Sequence, residues 1–492
     1  MGKGAARVVG VAVLVWGLVM VALGAQARAA VVASDSFATF DFDRPSINAH
    51  NSPAAAEDPN RPTLAAMADR IDTPAFSCSV SLSSNAGVTW RPLRLPLAAD
   101  APNCYWPDVA FDADGRLLVL YTATGGRFNL PIGVWVQRFT GNQPDGSAVR
   151  VAGAEAFHAH MAVDGPRVLV AYVQAGKATV DKGVGFSPAP NPIMLARSED
   201  GGRSFAPPVA VSEPARLVVL PSVVVGPDGQ VVVGALDLGD DVDDYEGRHG
   251  GQAGPPHEGR WQVVAYRSAD GGASFAPAAV VAGDLVAPQR LIVNLGPSPR
   301  LAWDRGANRI YATWDAGRGD ARDVFVARSD DGGTRWSSPK AVARRDGTQT
   351  LPTVSVAPDG RVDVVYYDRS ADPKDVMTEV AMSSSWDQGR SFTTATVSRF
   401  AFDSRIGFGS AQGIPLLGSQ LASLSSADRA VAFWSDTRRT TQDDNAQDLA
   451  LAVVDVERNG DRRWPVAVLG LGFAGLGAAL LLRQRRDAPS RP

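Results

Sequence analysis

The chain has 492 residues, 45% hydrophobic and 20% charged, with a formal net charge of −4. This is the composition of a globular protein. The near-neutral charge and the lack of a basic–aromatic stripe argue against a nucleic-acid partner. Only eight of the 52 acids are glutamate, and 49 glycines and 34 prolines favour turns and short strands over long helices.

Residues 1–29 read as a signal peptide. Lys3 and Arg7 form a basic start and residues 8–24 an apolar run; Ala25-Gln26-Ala27 and Ala27-Arg28-Ala29 offer small-residue cleavage sites. An uncleaved anchor is the alternative. Residues 31–47 follow, and their first part, "VVASDSFATFD", is suited to supply an outer strand that closes a ring with the end of the chain. Cys78 and Cys104, the only two cysteines, fall in the segment this reading exports. An oxidising compartment permits a disulfide between them; two separate thiols are the alternative.

From residue 48 to 456 the chain repeats itself. Hairpin units recur as two β-rich runs around a turn, in "PDVAFDADGRLLVLYTAT" (107–124), "PSVVVGPDGQVVVGALD" (221–237) and "PTVSVAPDGRVDVVYYDRS" (352–370). Asp-Gly between alternating runs is a hairpin signal. Weaker relatives begin at residues 52, 160, 299 and 423, which makes seven. Each is followed by a third strand and then by a recurring turn, S-x-[DN]-x-G-x-x-[FW]. The five copies are "SSNAGVTW" (83–90), "SEDGGRSF" (198–205), "SADGGASF" (268–275), "SDDGGTRW" (329–336) and "SWDQGRSF" (385–392). Seven four-stranded units predict an all-β, seven-bladed β-propeller, or six blades if the first unit is partial. In the turn, Asp200, Asp270, Asp331 and Asp387 accept hydrogen bonds from turn N–H groups. Asn85 stands in the same place, which suits a cap and not a proton-transfer group.

Residues 457–463 read as a linker. Residues 464–482 carry no charge and are about long enough to cross the hydrocarbon core. Arg483, Arg485 and Arg486 follow and place a basic tail, 483–492, in the cytoplasm. The expectation is an exported propeller anchored in the cell membrane by one C-terminal helix.

The five turns resemble the Asp-box, or BNR, repeats of the sialidase-like propeller superfamily. The resemblance covers residues 48–456 and implies a ligand mouth on the face opposite the turns. It does not choose among sialidases, other glycosidases and binding proteins. On that mouth face, the ends of second strands carry an acid–arginine theme: Asp315 with Arg318, Asp368 with Arg369, Asp436 with Arg438. Arginine suits bidentate recognition of a carboxylate; local salt bridges and turn caps are the alternative. An exo-α-sialidase, by resemblance, needs three arginines and a tyrosine activated by a glutamate. Its first arginine is replaced here by Asn51-Ser52-Pro53, with Arg44 seven residues earlier. The candidates for the pair are Tyr366 and Tyr367, with Glu155, Glu246 or Glu258; adjacency on a strand lets one tyrosine at most face the channel. Asp240, Asp241, Asp243 and Asp244 in the loop 236–260 are suited to calcium, though no calcium-loop pattern fits; otherwise no cofactor is expected. His158 and His160, two apart on a strand, should share a face. The expected function is recognition of a glycan or other surface ligand. A sialidase-type glycoside hydrolase and a protein-interaction scaffold are the alternatives.

Overall fold

The computed structural model describes residues 30–38, 49–72, 76–126, 129–176, 191–239, 260–286, 298–318, 321–343, 345–407, 417–440 and 446–456. Contacts divide the chain into Val32–Val454 and a second unit made of the two ends. The proposed signal peptide (1–29), linker, membrane helix (464–482) and basic tail lie outside the described residues. Among the described residues no helix is long and apolar enough to cross a membrane.

Seven antiparallel sheets follow one another, each with four strands in radial order. Their first strands are His50–Asp58, Tyr105–Phe111, Ala156–Asp164, Val218–Val225, Arg300–Asp304, Gln349–Val356 and Ala422–Ser425. Each first strand touches the next, and Ala422–Ser425 touches His50–Asp58, so the ring is closed. The first unit is a complete blade, and the six-bladed alternative falls.

Second strands such as Val231–Asp237 and Val362–Asp368 are buried along their whole length. Neighbouring blades cover both of their faces, so they read as continuous apolar runs and not as alternating ones. Three of the outer strands are short: Arg91–Pro92, Val209–Ala210 and Lys340–Ala341 have two residues each. Short outer edges limit unwanted pairing with other chains.

The last blade takes its outer strand from the start of the described chain, with Ala30–Phe37 beside Asp448–Val456. Arg438 fastens this closure. Its Nη1 and Nη2 donate to Asp35 at 2.7 and 2.8 Å, and its Nε donates to Asp436 Oδ2 at 2.8 Å. Ring closure therefore rests on a bidentate, mostly buried ion pair as well as on strand pairing.

The S-x-[DN]-x-G turns join third to outer strands in blades 1, 3, 4, 5 and 6 and share one hydrogen-bond pattern. In blade 3, Ser198 Oγ donates to Asp200 Oδ1 at 2.7 Å and accepts from Gly202 N at 2.8 Å; Asp200 Oδ1 accepts from Ser204 N at 2.9 Å. Asp270, Asp331 and Asp387 repeat it. Asn85 accepts from Thr89 N at 2.9 Å in the same way. The last glycine of each turn also abuts the preceding blade. At Gly272, with φ +85°, an added Cβ would lie 2.6 Å from Leu195 Cδ2 of blade 3. The motif is thus an inter-blade clasp as well as a cap.

Cys78 and Cys104 form a disulfide, with Cα atoms 5.5 Å apart, between the third strand of blade 1 and the entrance of blade 2.

Candidate functional site

In an up-and-down blade, first-to-second and third-to-outer connections lie on one face. Second-to-third connections and blade crossings lie on the other. The Asp-containing turns therefore occupy one face, and the first strands begin on the opposite one, the mouth face.

Five first strands are irregular just after they begin. Ser52, Trp106, His158, Leu220 and Leu351 have φ of +54°, +54°, +50°, +57° and +51°, although none is glycine. At each the register slips, as between Tyr105 and Asp108 or Phe157 and His160. Such bulges re-aim side chains, and backbone held in this region costs about 1–3 kcal/mol per residue unless the surroundings impose it. One consequence is that His158 and His160 do not share a face, contrary to the alternation expected. His158 packs against Trp106, the rings tilted by 46° with centroids 4.4 Å apart.

The residues just past the bulges meet around the axis. First strands are sheet edges, and their inward N–H groups need acceptors. Asp108 Oδ2 accepts from Met161 N at 2.8 Å, His160 Nδ1 from Val223 N at 3.3 Å, and Ser222 Oγ from Leu301 N at 3.1 Å. Each side chain thus caps the next blade. The chain of caps changes character at Arg300 in blade 5. Its Nη2 donates to Gln420 Oε1 of blade 7. Blade 6 lies between these two in the ring, so the contact crosses toward the axis. Gln420 also donates to Pro53 O at 3.1 Å, tying blade 7 to blade 1. Burial lowers Arg300 to about 10, with Asp108 opposing the shift. Among the described residues no carboxylate makes an ion pair with it.

Beside this centre lies an aromatic and cationic floor from blades 1 to 3. The Arg70 guanidinium sits 4.4 Å from the Tyr105 ring centroid, and Phe76 meets Tyr105 edge-on at 4.9 Å. Arg70 pairs with Asp72 at 2.6 Å, Asn51 Nδ2 donates to Asp72 at 2.8 Å, and His50 Nδ1 meets Asp69 at 2.6 Å. Burial pushes the Tyr105 phenol up, partly offset by Arg70. His158 falls to about 3, through burial and then the fields of Arg70 and Arg300. His160 is lowered by burial, against Asp108 and with Arg300. Two guanidinium groups thus act on one imidazole. Displaced titrations gathered at one place are characteristic of functional sites.

The residues singled out from sequence behave differently. Acids at second-strand ends are each held by an arginine, but often not the neighbour expected. Asp315 pairs with Arg322 at 2.6 Å and accepts from Thr350 Oγ1; the side chain of Arg318 lies outside the described residues. Asp368 pairs with Arg345 at 3.0 Å, whereas Arg369 turns to Thr378 and Ser404. Only Asp436 and Arg438 pair as written, and they serve ring closure. Asp72 with Arg70 and Asp237 with Arg216, at 2.5 Å, extend the theme to two more blades. These acids also cap their own turns: Ser370 N donates to Asp368 Oδ1 and Gly239 N to Asp237 Oδ1, both at 2.9 Å. Among the described side chains, the acid–arginine theme is local pairing and capping.

Tyr366 and Tyr367 are both buried. Tyr366 Oη meets Ser383 Oγ at 3.0 Å, and Tyr367 Oη donates to Ser435 O at 3.0 Å. Their blade, the sixth, is not adjacent to Glu155, which sits in the turn entering blade 3. Glu246, Glu258, Asp240, Asp241, Asp243 and Asp244 lie outside the described residues. Among the described residues no group of three or more His, Cys, Asp or Glu could hold a metal ion. Sequence reasoning missed Arg300, Tyr105, Trp106 and Arg70. The available signal was the proline that follows four bulge residues: Pro53, Pro107, Pro221 and Pro352.

No family model and no curated protein matches the chain in sequence. Solved structures do match in fold. An ulvan lyase, a polysaccharide lyase bound to -[GlcA(1-4)Rha3S]-, superposes with a TM-score of 0.51 at 11% identity, over 82% of this chain and 94% of its own. An α-L-arabinofuranosidase from Fusarium graminearum gives 0.45 at 12%, over 86% and 98%. The Trypanosoma rangeli sialidase gives 0.44 at 12%, over 94% of this chain and 65% of its own. At these identities the likeness is one of fold.

Proposed function

We propose that the mouth face binds a carbohydrate bearing an anionic group, a carboxylate or a sulfate, in an exported chain anchored by residues 464–482. The observation that carries this reading is Arg300. A half-buried guanidinium beside a neutral amide, without an ion-pair partner among the described residues, gains more from an anionic ligand than a paired one does. The half-buried Tyr105 supplies ring surface of the kind sugars stack on, with the buried Trp106 packed behind it. Among solved propellers of like fold, the ulvan lyase holds a saccharide whose GlcA unit is itself an anion. The Cys78–Cys104 bridge and the leader-like start support export; support for the anchor is the uncharged run at 464–482.

The hydrolase alternative needs an activated tyrosine, and Tyr366 and Tyr367 both have engaged phenols. Recognition is therefore the function put forward. Full-length protein in detergent, applied to an array of neutral, uronate-bearing and sulfated glycans, tests it. The expected result is retention of acidic glycans, lost at least tenfold in Arg300→Gln. Equal retention of neutral glycans, or an unchanged Arg300→Gln, would contradict it. Protease accessibility of the propeller in intact cells tests the orientation.

A further inference from the structure

The structure has one covalent cross-link, and it sits at the Arg70–Tyr105 contact. Cys78 is the direct cross-strand partner of Arg70 in blade 1. Cys104 immediately precedes Tyr105, the first residue of blade 2's innermost strand, and Trp106 follows in the positive-φ bulge. The route from guanidinium to ring is therefore short: Arg70, its strand partner Cys78, the bridge, Cys104, Tyr105. The guanidinium rests 4.4 Å from the ring centroid at the end of this route.

A purely architectural purpose does not explain the location. The chain makes six other passages from one blade to the next or to the closing strand, and with only two cysteines it makes all of them without a bridge. Blades 1 and 2 are also packed without it, through Ala54, Ala68, Val80, Val109 and Val119 in a shared core. What distinguishes this passage is its far end. There Tyr105, Trp106 and His158 form a contiguous row of rings, and Arg70 lies over the first. Cys104 is anchored in an apolar cluster with Ala101, Tyr121, Ala123 and Trp135, and Tyr121 Oη accepts from Ala98 N at 3.0 Å. The bridge thus ties the third strand of blade 1 to a rigid part of blade 2.

We infer that Cys78 and Cys104 are positioning residues for the mouth: their bridge holds the buried Arg70 against the Tyr105 ring, the surface offered to a ligand, and keeps the bulge at Trp106 in place. The link to a ligand rests on the carbohydrate reading above. The link to local order does not.

The test compares full-length wild type with two double variants, Cys78→Ser with Cys104→Ser, and Cys78→Val with Cys104→Ala, the latter chosen to keep the apolar cluster filled. Hydrogen exchange is followed by peptide, and affinity for a glucuronate-bearing oligosaccharide is measured alongside. Exchange over residues 70–78 and 104–108 should rise at least tenfold, while the second strands of blades 4 to 6 stay as protected as in wild type. Affinity should fall about tenfold with a single cooperative melt retained. A uniform rise around the ring, no rise at all, or failure of both variants to fold would assign the bridge to general stability and overturn the inference. If wild type binds no acidic saccharide, the carbohydrate reading fails, and the exchange pattern still decides the positioning role.

Discussion

At the scale of single residues, the same type of side chain does opposite work on the two faces. In the Asp turns, hydrogen bonds from Ser204, Ser198 and the backbone overcome desolvation and hold Asp200 at about 2, below its usual 3.8. A carboxyl depressed on folding stabilises the fold above its unfolded pKa, and that contribution is lost as pH falls through the folded value. For Asp200 the window runs from about pH 4 down to about 2. Asp200→Asn should keep the turn, as Asn85 does naturally, and flatten the loss of melting temperature in that window. Asp200→Ala should cost about 1 kcal/mol at neutral pH, the usual worth of a lost cap. Thermal melts from pH 2 to 7 measure both. Gly272→Ala should cost about 2 kcal/mol, since it adds positive-φ strain and a clash with Leu195. On the mouth face, burial and nearby guanidinium charge keep His158 neutral down to about pH 3, and His160 moves the same way. Affinity for an acidic saccharide should therefore show no step near pH 6.5, the usual histidine value, in titration calorimetry between pH 5 and 8. The site itself was hardly legible in the sequence at this scale. Arg300 and Arg70 stand among many arginines, and nothing local marks them; what marks them is a bulge and a contact across the ring, both tertiary.

At the scale of elements the sequence said far more. The hairpins beginning at residues 52, 107, 160, 221, 299, 352 and 423 are the seven innermost pairs, because turn chemistry and apolar runs are local properties. The closing strand was also readable, since the run at residues 449–456 that ends the last unit needed an outer neighbour and 31–41 was suited to supply it; the strand formed is Ala30–Phe37. Pairings between strand ends were not readable: Asp315 and Asp368 chose Arg322 and Arg345 over their sequence neighbours. Strand pleating sends adjacent side chains apart, while a cross-strand or crossing-segment arginine comes within reach. Two predictions belong here. Removing residues 30–37 opens the ring and should abolish the single cooperative melt seen by circular dichroism. Arg438→Ala, which strands Asp35 and Asp436 together, should cost about 3 kcal/mol in denaturant unfolding, the usual penalty for breaking a buried pair.

At the scale of the molecule the ring separates stability from recognition. The face with the Asp turns is built from repeats, and its hydrogen bonds close within each turn. The mouth face carries positive-φ bulges, the lowered His158 and His160, and the Arg300–Gln420 contact across the ring. The most direct measurement is a hydrogen-exchange footprint of the full-length protein with and without a glucuronate-bearing oligosaccharide. Protection should gather over residues 104–108, 156–161 and 298–302 and vanish in Arg300→Gln. Protection over the turns at 198–205, 268–275 and 329–336 instead, with the mouth strands unchanged, would contradict a binding site on the face opposite the turns.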